Sequence, residues 1–357
     1  MKSPQWAIAL AILTFGPRLM SETTGGEVFA WGRNTIGEGT NTPIHGVYRL
    51  AGPVTIAGEK LRDVVSISAG EGHGLALKED GTVFGWGWNF SGQATGSKSL
   101  LSDCANGQVR IAGNPLRDVM AISAGGGFSL AVKSNGTVVA WGEGLAEKER
   151  SQVTVPTSLN EVVSVAVGWN YSIALRRDGT VIGWGIRKVP AGLSNIVAIA
   201  AGGDYFGPSL ALRNDGKVVE WSPGVETENG SIVVSNATAI AAGSFHCLAL
   251  LRDGTVYGWG QNGGGEATGI PTTVAPYSSS GLVKIGGETL SNVKVIAAGK
   301  GHSLALKQNG TLVAWGRMNN GIQPATIPQG LRNVTAIAAG DDFCLALTTN
   351  AAAFSPK

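Results

Sequence analysis

The stretch AGEGHGLALKEDGTVFGWG (residues 69–87) decides the fold, because nearly the same wording recurs along the chain. Its other copies are residues 124–142, 167–185, 201–222, 242–260 and 298–316. Each copy has two alternating apolar runs joined by Asp-Gly or Asn-Gly, a strong signal for a β-hairpin. We expect both central residues of the turn to take positive φ.

Further strands are predicted around each hairpin. Ahead of it lies a run rich in β-branched residues, such as residues 64–68, 119–123 and 335–338. In three repeats, another short run precedes this one and predicts a fourth strand: residues 54–58, 109–113 and 283–287. Units of four strands repeated around an axis form a propeller, an all-β fold.

The two ends of the repeat region give the number of blades. Residues 26–32 match only the last strand of the repeat, and residues 339–347 match only the part before the turn. Six whole units and one split unit predict a seven-bladed β-propeller over residues 26–350, followed by a tail at 351–357. Pairing of the N-terminal strand with the C-terminal strands would close the ring and leave no long exposed edge.

The Ala-Gly-x-x-His, Leu-Ala-Leu and Asp-Gly-Thr-Val-x-x-Trp-Gly words resemble repeats of the regulator of chromosome condensation family over roughly residues 26–347. The shorter units are similar to those of the propeller-type β-lactamase inhibitory protein. The first resemblance implies a seven-bladed propeller and, in the founding member, guanine-nucleotide exchange on a small GTPase. The particular rim residues and projecting wedge behind that activity have no match that we could identify here.

The N-terminal segment, residues 1–25, has the character of a secretory signal. Lys2 precedes an apolar run at residues 6–15, which is too short for a membrane span of about twenty residues. The segment predicts that the chain is secreted, periplasmic or held at the cell surface.

Composition limits the class of partner. The chain has 27 basic and 25 acidic residues, a formal net charge of +2 and no run of like charge. A protein that binds nucleic acid ordinarily shows a basic patch or stripe, so we expect no nucleic-acid partner. We also expect a monomer.

The cysteines and histidines are interpreted mainly as packing residues. Cys247 and Cys344 occupy a small-residue position of the repeat and should be buried and unpaired, while Cys104 lies in a long connector. His73, His246 and His302 share one repeat position that holds Phe or Tyr elsewhere. That favours ring packing, with metal ligation as the alternative.

Neither a catalytic motif nor a calcium loop is recognisable, so we expect no enzyme, no cofactor and no metal site. The repeat tryptophans fit packing between blades, with sugar stacking as the alternative.

Candidate binding residues are those that vary between blades. The positions after each Ala-Gly corner should share one rim, and aromatic side chains there are typical of protein-binding hot spots. The long connectors provide a second group, which also contains Tyr277. The predicted partner-binding residues are Trp169, Asn170, Asp204, Tyr205, Phe206, Phe245, Trp88 and Phe90.

These observations favour a secreted, non-enzymatic propeller that binds a protein or glycan partner through loops on one rim. The alternatives are an inhibitor of a secreted or periplasmic enzyme and, if the chain is cytoplasmic, a regulator resembling a guanine-nucleotide exchange factor.

Overall fold

The computed structural model describes residues 25–35, 37–40, 50–98, 104–142, 153–203, 207–222, 230–318 and 323–349. Within these residues the chain is all β. The described residues contain no helix that is long and apolar enough to cross a membrane. The predicted signal segment lies outside the described residues except for its last residue, Gly25.

The strands follow the repeat closely. The first are β1 (Glu27–Gly32), β2 (Leu50–Pro53), β3 (Thr55–Ile56), β4 (Glu59–Lys60), β5 (Val64–Ala69), β6 (His73–Lys78), β7 (Val83–Trp88), β8 (Cys104–Gln108), β9 (Arg110–Ile111) and β10 (Asn114–Pro115). Next come β11 (Val119–Ala124), β12 (Phe128–Lys133), β13 (Val138–Gly142), β14 (Val162–Val167), β15 (Tyr171–Arg176), β16 (Val181–Gly185), β17 (Ile196–Ala201), β18 (Ser209–Arg213), β19 (Val218–Trp221) and β20 (Ser231–Val234). The last are β21 (Ala237–Ala242), β22 (His246–Leu251), β23 (Val256–Gln261), β24 (Ser278–Leu282), β25 (Lys284–Ile285), β26 (Glu288–Thr289), β27 (Val293–Ala298), β28 (His302–Lys307), β29 (Leu312–Met318), β30 (Gln323–Pro324), β31 (Val334–Ala339) and β32 (Phe343–Thr348).

Seven antiparallel sheets form the blades of a closed ring. Blades one to six begin with β5, β11, β14, β17, β21 and β27, and the split blade has the order β2-β1-β32-β31. Each innermost strand packs against the next blade, and β31 packs against β5, which completes the circle. The prediction of a seven-bladed propeller is confirmed.

Closure occurs where the sequence predicts it. Strand β1 pairs antiparallel with β32, with Val28 opposite Leu347 and Trp31 opposite Cys344. The first strand thus completes a blade whose inner strands come from the other end of the chain.

The prediction for the fourth strands is wrong. The runs that begin at Val54, Val109 and Val283 lead into separate two-stranded hairpins, β3-β4, β9-β10 and β25-β26. The outer strands are instead the segments just before them, β2, β8 and β24. The three valines are fully buried, because each lies where the chain turns from the outer strand back toward the next blade.

The hairpin turns also differ from the prediction. Gly81 has φ +77°, but the preceding Asp80 does not have positive φ. Gly81 donates its N–H to Lys78 O, and Lys78 donates to Thr82 O, which is the pattern of a three-residue loop with a glycine bulge. Asp80 Oδ1 accepts the Thr82 N–H and hydroxyl at 2.9 and 2.6 Å, so the carboxylate stabilises the turn.

Main-chain hydrogen bonds join neighbouring blades at the hairpin turns. The first residue of blade two, Val119, donates to Gly81 O in blade one at 3.1 Å. Equivalent bonds run from Val64 to Gly26, Val162 to Gly136, Ile196 to Gly179, Ala237 to Gly216 and Val293 to Gly254. The turn glycine therefore serves both its own hairpin and the adjacent blade.

Candidate functional site: the corner face

The loops at the seven corners, six of them Ala-Gly and one Val167-Gly168, and the loops that follow Trp-Gly lie on one face of the ring, which we call the corner face. In blade one, the Trp88 N–H donates to Gly72 O at 2.7 Å. In blades five and six, Gln261 donates to Phe245 O and Arg317 donates to Gly301 O. In each of these blades the bond joins the corner loop to the loop that follows Trp-Gly, so both loops lie at the same end of the blade.

Glycine is needed at the corners because neighbouring blades approach closely there. A Cβ added at Gly299 would lie 2.4 Å from Gly340 O, and one at Gly340 would lie 2.6 Å from Gly70 O. The Glu71 N–H of blade one donates to Gly125 O of blade two at 3.0 Å. The corners thus surround a narrow channel mouth, and their side-chain variation is confined to the residues that follow.

The long loops after Trp-Gly carry a motif that sequence reasoning missed. Asn34, Asn89 and Asn262 each precede a Glu or Gln by four residues. The Asn262 side chain accepts N–H groups from Ala267 and Thr268 at 3.0 and 2.9 Å, and donates to Ile270 O at 2.7 Å. Comparing the residues after each Trp-Gly would have revealed this loop-organising asparagine.

These loops also hold neighbouring blades together. Gln93 O, in the loop of blade one, accepts the indole N–H of Trp141 and the hydroxyl of Ser129 in blade two, both at 2.9 Å. Glu266 O makes the same two contacts with Trp315 and Ser303 in blade six. All seven repeat tryptophans are buried, so packing is confirmed and their interpretation as exposed sugar platforms is wrong.

The histidines join the same network. His73 Nε2 lies 2.8 Å from Ser129 Oγ, and His246 Nε2 lies 2.8 Å from Ser303 Oγ. Since each serine donates its proton to a loop carbonyl, the imidazole must donate from Nε2. His302 Nε2 lies 3.1 Å from Cys344 Sγ.

This geometry keeps the rings neutral. The Nδ1 atoms of the three histidines are buried and have no hydrogen-bond partner, so a second proton there would find no acceptor. Burial lowers the pKa of His73 and His246 to about 3, and that of His302 to about 4. Among the residues that the structure describes, no group of His, Cys, Asp and Glu could hold a metal ion.

None of the three cysteines forms a disulfide bond, and Cys247 and Cys344 are buried as predicted. Burial raises the pKa of both thiols well above the ordinary value. Cys104 is the first residue of β8 rather than part of an irregular connector, because the outer strand begins earlier than the sequence predicted.

A charged cluster lies on the corner face where the ring closes. Arg33 Nε donates to Glu38 Oε1 at 2.6 Å, and Lys300 Nζ lies 3.4 Å from Asp341 Oδ2. Burial raises the pKa of Asp341 to about 7, with Glu71 and Asp342 adding in the same direction and Lys300 and Arg33 opposing them.

Beside this cluster is an open cavity of about 420 Å³. Its walls come from blade five, blade six and the split blade: Phe245, Gln261, Gly263, Gly264, Glu266, Lys300, Gly301, Arg317 and Asp342. Glu266 and Asp342 are buried, Arg317 is exposed and Phe245 is 37% exposed. The cavity therefore combines buried carboxylates with cations and an aromatic ring near the surface.

The predicted site residues are distributed over several blades. Phe245 lines the cavity, whereas Trp169 is half-buried and leans over blade two, with its ring atoms close to Gly126. Asn170 is buried. Asp204, Tyr205 and Phe206 lie outside the described residues.

The connector residues occupy different settings. Trp88 ends β7 and is half-buried, while Phe90 is 63% exposed in the asparagine-organised loop of blade one. Tyr277, in the connector of blade five, is 52% exposed, and its O accepts the Asn262 N–H. The role of these residues in binding stays a prediction.

Comparisons with known proteins identify relatives of the chain. The RCC1-like domain family matches residues 27–355. Protein pim1 of Schizosaccharomyces pombe is 27% identical over 95% of this chain and 67% of that protein. The guanine nucleotide exchange factor SRM1 of Saccharomyces cerevisiae is 30% identical over 82% of this chain and 69% of that protein.

Solved structures agree on the fold. Prp20p from Saccharomyces cerevisiae, described with its binding properties to Gsp1p and histones, superposes with a TM-score of 0.73 at 21% identity, covering 92% of this chain and 93% of that one. With the seven closed blades and the match across nearly all of them, the chain belongs to the RCC1-like domain family.

Proposed function

We propose that this propeller binds a small GTPase through its corner face and regulates nucleotide exchange on it. The observation that carries the proposal is the 30% identity to a guanine nucleotide exchange factor over 82% of the chain. An alignment of that extent includes the blades and the loops between them.

The geometry favours the corner face for this role. The hairpin turns of the opposite face repeat nearly the same sequence and use their side chains to stabilise the turn. On the corner face, the residues after each Ala-Gly differ from blade to blade, and some of them border a cavity. Surface variation and concave shape are the features expected of a partner-binding site.

The direct test is release of nucleotide. Small GTPases of the source organism would be loaded with fluorescent GDP and mixed with the full chain in the presence of excess GTP. The proposal expects faster release from one of them. If none responds, the exchange function is refuted.

A pair of variants assigns the face. Phe245→Ala removes an exposed ring from the corner face, and a hot-spot truncation costs at least about 2 kcal/mol, or roughly thirtyfold in affinity. Gln308→Ala alters an exposed residue beside the opposite hairpin turn and should leave nucleotide release unchanged. Loss of activity in Gln308→Ala with full activity in Phe245→Ala would contradict the assignment.

Localisation separates this proposal from the secreted alternative. The signal character of residues 1–25 predicts export, whereas a small GTPase would be met inside the cell. Fractionation of cells that express the full chain with a C-terminal tag decides between them: an intracellular chain supports nucleotide exchange, and an exported chain supports an extracellular protein partner or inhibited enzyme.

A further inference from the structure

The cavity on the corner face exists because one loop lacks side chains. In the loop of blade one, Phe90 and Ser91 follow the organising asparagine, while the equivalent residues of blade five are Gly263 and Gly264. The two loops share their geometry. Ser91 N–H donates to Gln93 Oε1 at 2.9 Å, and Gly264 N–H donates to Glu266 Oε2 at 2.7 Å.

The missing side chains would face open space and the cavity walls. A Cβ at Gly263 would meet only Tyr277, at 3.9 Å. A Cβ at Gly264 would lie 3.1 Å from both Arg317 Cγ and Glu266 Oε2, so it points between two of the charged walls. The fold therefore has room for a side chain at Gly263, whereas one at Gly264 would require the Arg317 or Glu266 side chain to shift by a few tenths of an ångström. The absence of both side chains leaves the cavity open.

The charges around the cavity favour a cation. In the lining itself, the carboxylates of Glu266 and Asp342 balance the cations of Lys300 and Arg317. The charges that pair with these residues or act on Asp341 bring the group to eight, by adding Arg33, Glu38, Glu71 and Asp341. Five are acidic and three are basic, so the cluster is formally −2 in a chain whose net charge is +2. The Gly264 N–H is already bound to Glu266, which removes an amide that an anion would need.

We propose that this cavity receives an arginine or lysine side chain of a protein partner, with the charged end toward Glu266 and Asp342 and the stem against Phe245. Carboxylate oxygens can accept further hydrogen bonds beyond those they already make. An aromatic ring at the cavity wall attracts a cation and packs against its methylene groups. The inference rests on the corner face being the partner-binding face proposed above.

Binding should strengthen as the pH rises. Asp341 lies next to the cavity and carries a pKa of about 7, and its charged neighbours are Lys300, Glu71, Arg33 and Asp342. Above that pH the carboxyl is ionised and adds a negative charge, which favours a cation. Below it, the cluster loses that charge.

The test uses N-acetyl-arginine amide as the probe and N-acetyl-citrulline amide as its neutral match, with binding to the full chain followed by ligand-observed NMR at low salt. We expect the arginine probe to bind at least about tenfold more tightly than the citrulline probe, which corresponds to about 1.4 kcal/mol. We also expect tighter binding at pH 8 than at pH 6. Equal binding of the two probes would overturn the proposal.

A loop exchange locates the site. Gly263→Phe with Gly264→Ser gives blade five the loop residues of blade one and should reduce arginine binding at least about tenfold. Gln308→Ala, at an exposed residue of the opposite face, is the control and should leave it unchanged. Phe245→Ala provides a second reduction that does not alter the loop.

Unchanged arginine binding in both the exchanged loop and Phe245→Ala would refute the site. Arginine binding without any GTPase response would retain this inference and refute the exchange function, while a GTPase response without selective arginine binding would do the reverse.

Discussion

The junction between blades one and two is held together by a main-chain group, whereas the junction between blades three and four is held together by a side chain. In the first, the main-chain carbonyl of Gln93 receives protons from Trp141 and Ser129. In the second, no equivalent long loop lies among the described residues. Arg187 donates from its guanidinium to Ser209 Oγ at 3.0 Å and lies 4.0 Å from the centre of the Tyr171 ring.

The difference shows how blades of unequal length fit one ring. Long loops provide main-chain acceptors, which are independent of the side chain at that position. Blade three provides the buried Arg187 side chain from its short connector, and blade four provides the half-buried Glu220 side chain from β19, so those junctions depend on single residues. Substitutions should therefore be tolerated better at long-loop junctions than at short ones.

Truncation should have the largest effect because it removes a central strand of the blade that closes the ring. Deleting residues 341–357 takes away β32, which pairs with β1 on one side and β31 on the other. We expect loss of the cooperative thermal transition, measured by circular dichroism. A truncated chain that melts at the temperature of the full chain would contradict closure by the split blade.

Acidification should weaken the histidine-containing junctions of blades one, five and six. The three folded imidazoles stay neutral to about pH 3 to 4, while unfolded histidine binds a proton below about 6.5. The unfolded chain therefore gains protons as the pH falls from 7 to 5. Asp341 acts oppositely, because its folded carboxyl takes up a proton near pH 7 and the unfolded one does so near 3.8.

The balance of these groups predicts a loss of about 3 kcal/mol in the free energy of unfolding between pH 7 and 5. Urea titrations at the two pH values measure it. His73→Phe places at this position the ring found at Phe128 and Phe343, and should reduce the pH dependence. Stability that does not change with pH would contradict the neutral buried rings.

Arg187→Ala tests the dependence of a short junction on one side chain. It removes a buried cation from the Tyr171 ring and from Ser209, and we expect a loss of about 3 kcal/mol. Gln93→Ala at the long junction keeps the carbonyl that binds Trp141 and loses one side-chain hydrogen bond, so about 1 kcal/mol is expected. Equal losses would remove the distinction between the junctions.

The repeated parts of this fold were predictable because the same physical demands recur in every blade. The hairpin words, the small residue at Cys247 and Cys344, and the closing pair of β1 with β32 all follow from aligned positions. The outer strands could not be predicted in this way, because the sequences of β8 (Cys-Ala-Asn-Gly-Gln) and β24 (Ser-Ser-Ser-Gly-Leu) do not repeat one another. The neighbouring runs at residues 54–58, 109–113 and 283–287 each contain an Ile and resemble one another more closely, so they were predicted as the fourth strands instead.

The cavity could not be predicted for a different reason. Phe245 was selected as an aromatic residue after a corner, but its companions Lys300, Arg317 and Asp342 come from two other blades of the ring. Only packing brings them together. Arg187 and Glu220 show the same limit, because each acts on a residue of the next blade and neither belongs to a repeated word.

Substitution by Gln at Glu220 should give the smallest effect, and this residue provides the sharpest control at a short junction. Its Oε2 accepts the indole N–H of Trp259 at 2.7 Å, in place of the loop carbonyl used elsewhere. Glu220→Ala leaves that buried N–H without its acceptor, at a cost of about 1 to 2 kcal/mol. Glu220→Gln retains an acceptor oxygen and removes the partly buried charge, whose desolvation raises the pKa of the Glu220 carboxyl. We therefore expect the free energy of unfolding to change by less than about 0.5 kcal/mol. Urea titration at pH 7 compares the two, with Trp259 fluorescence as a local signal. If Gln is as harmful as Ala, the carboxylate charge rather than the hydrogen bond stabilises this junction.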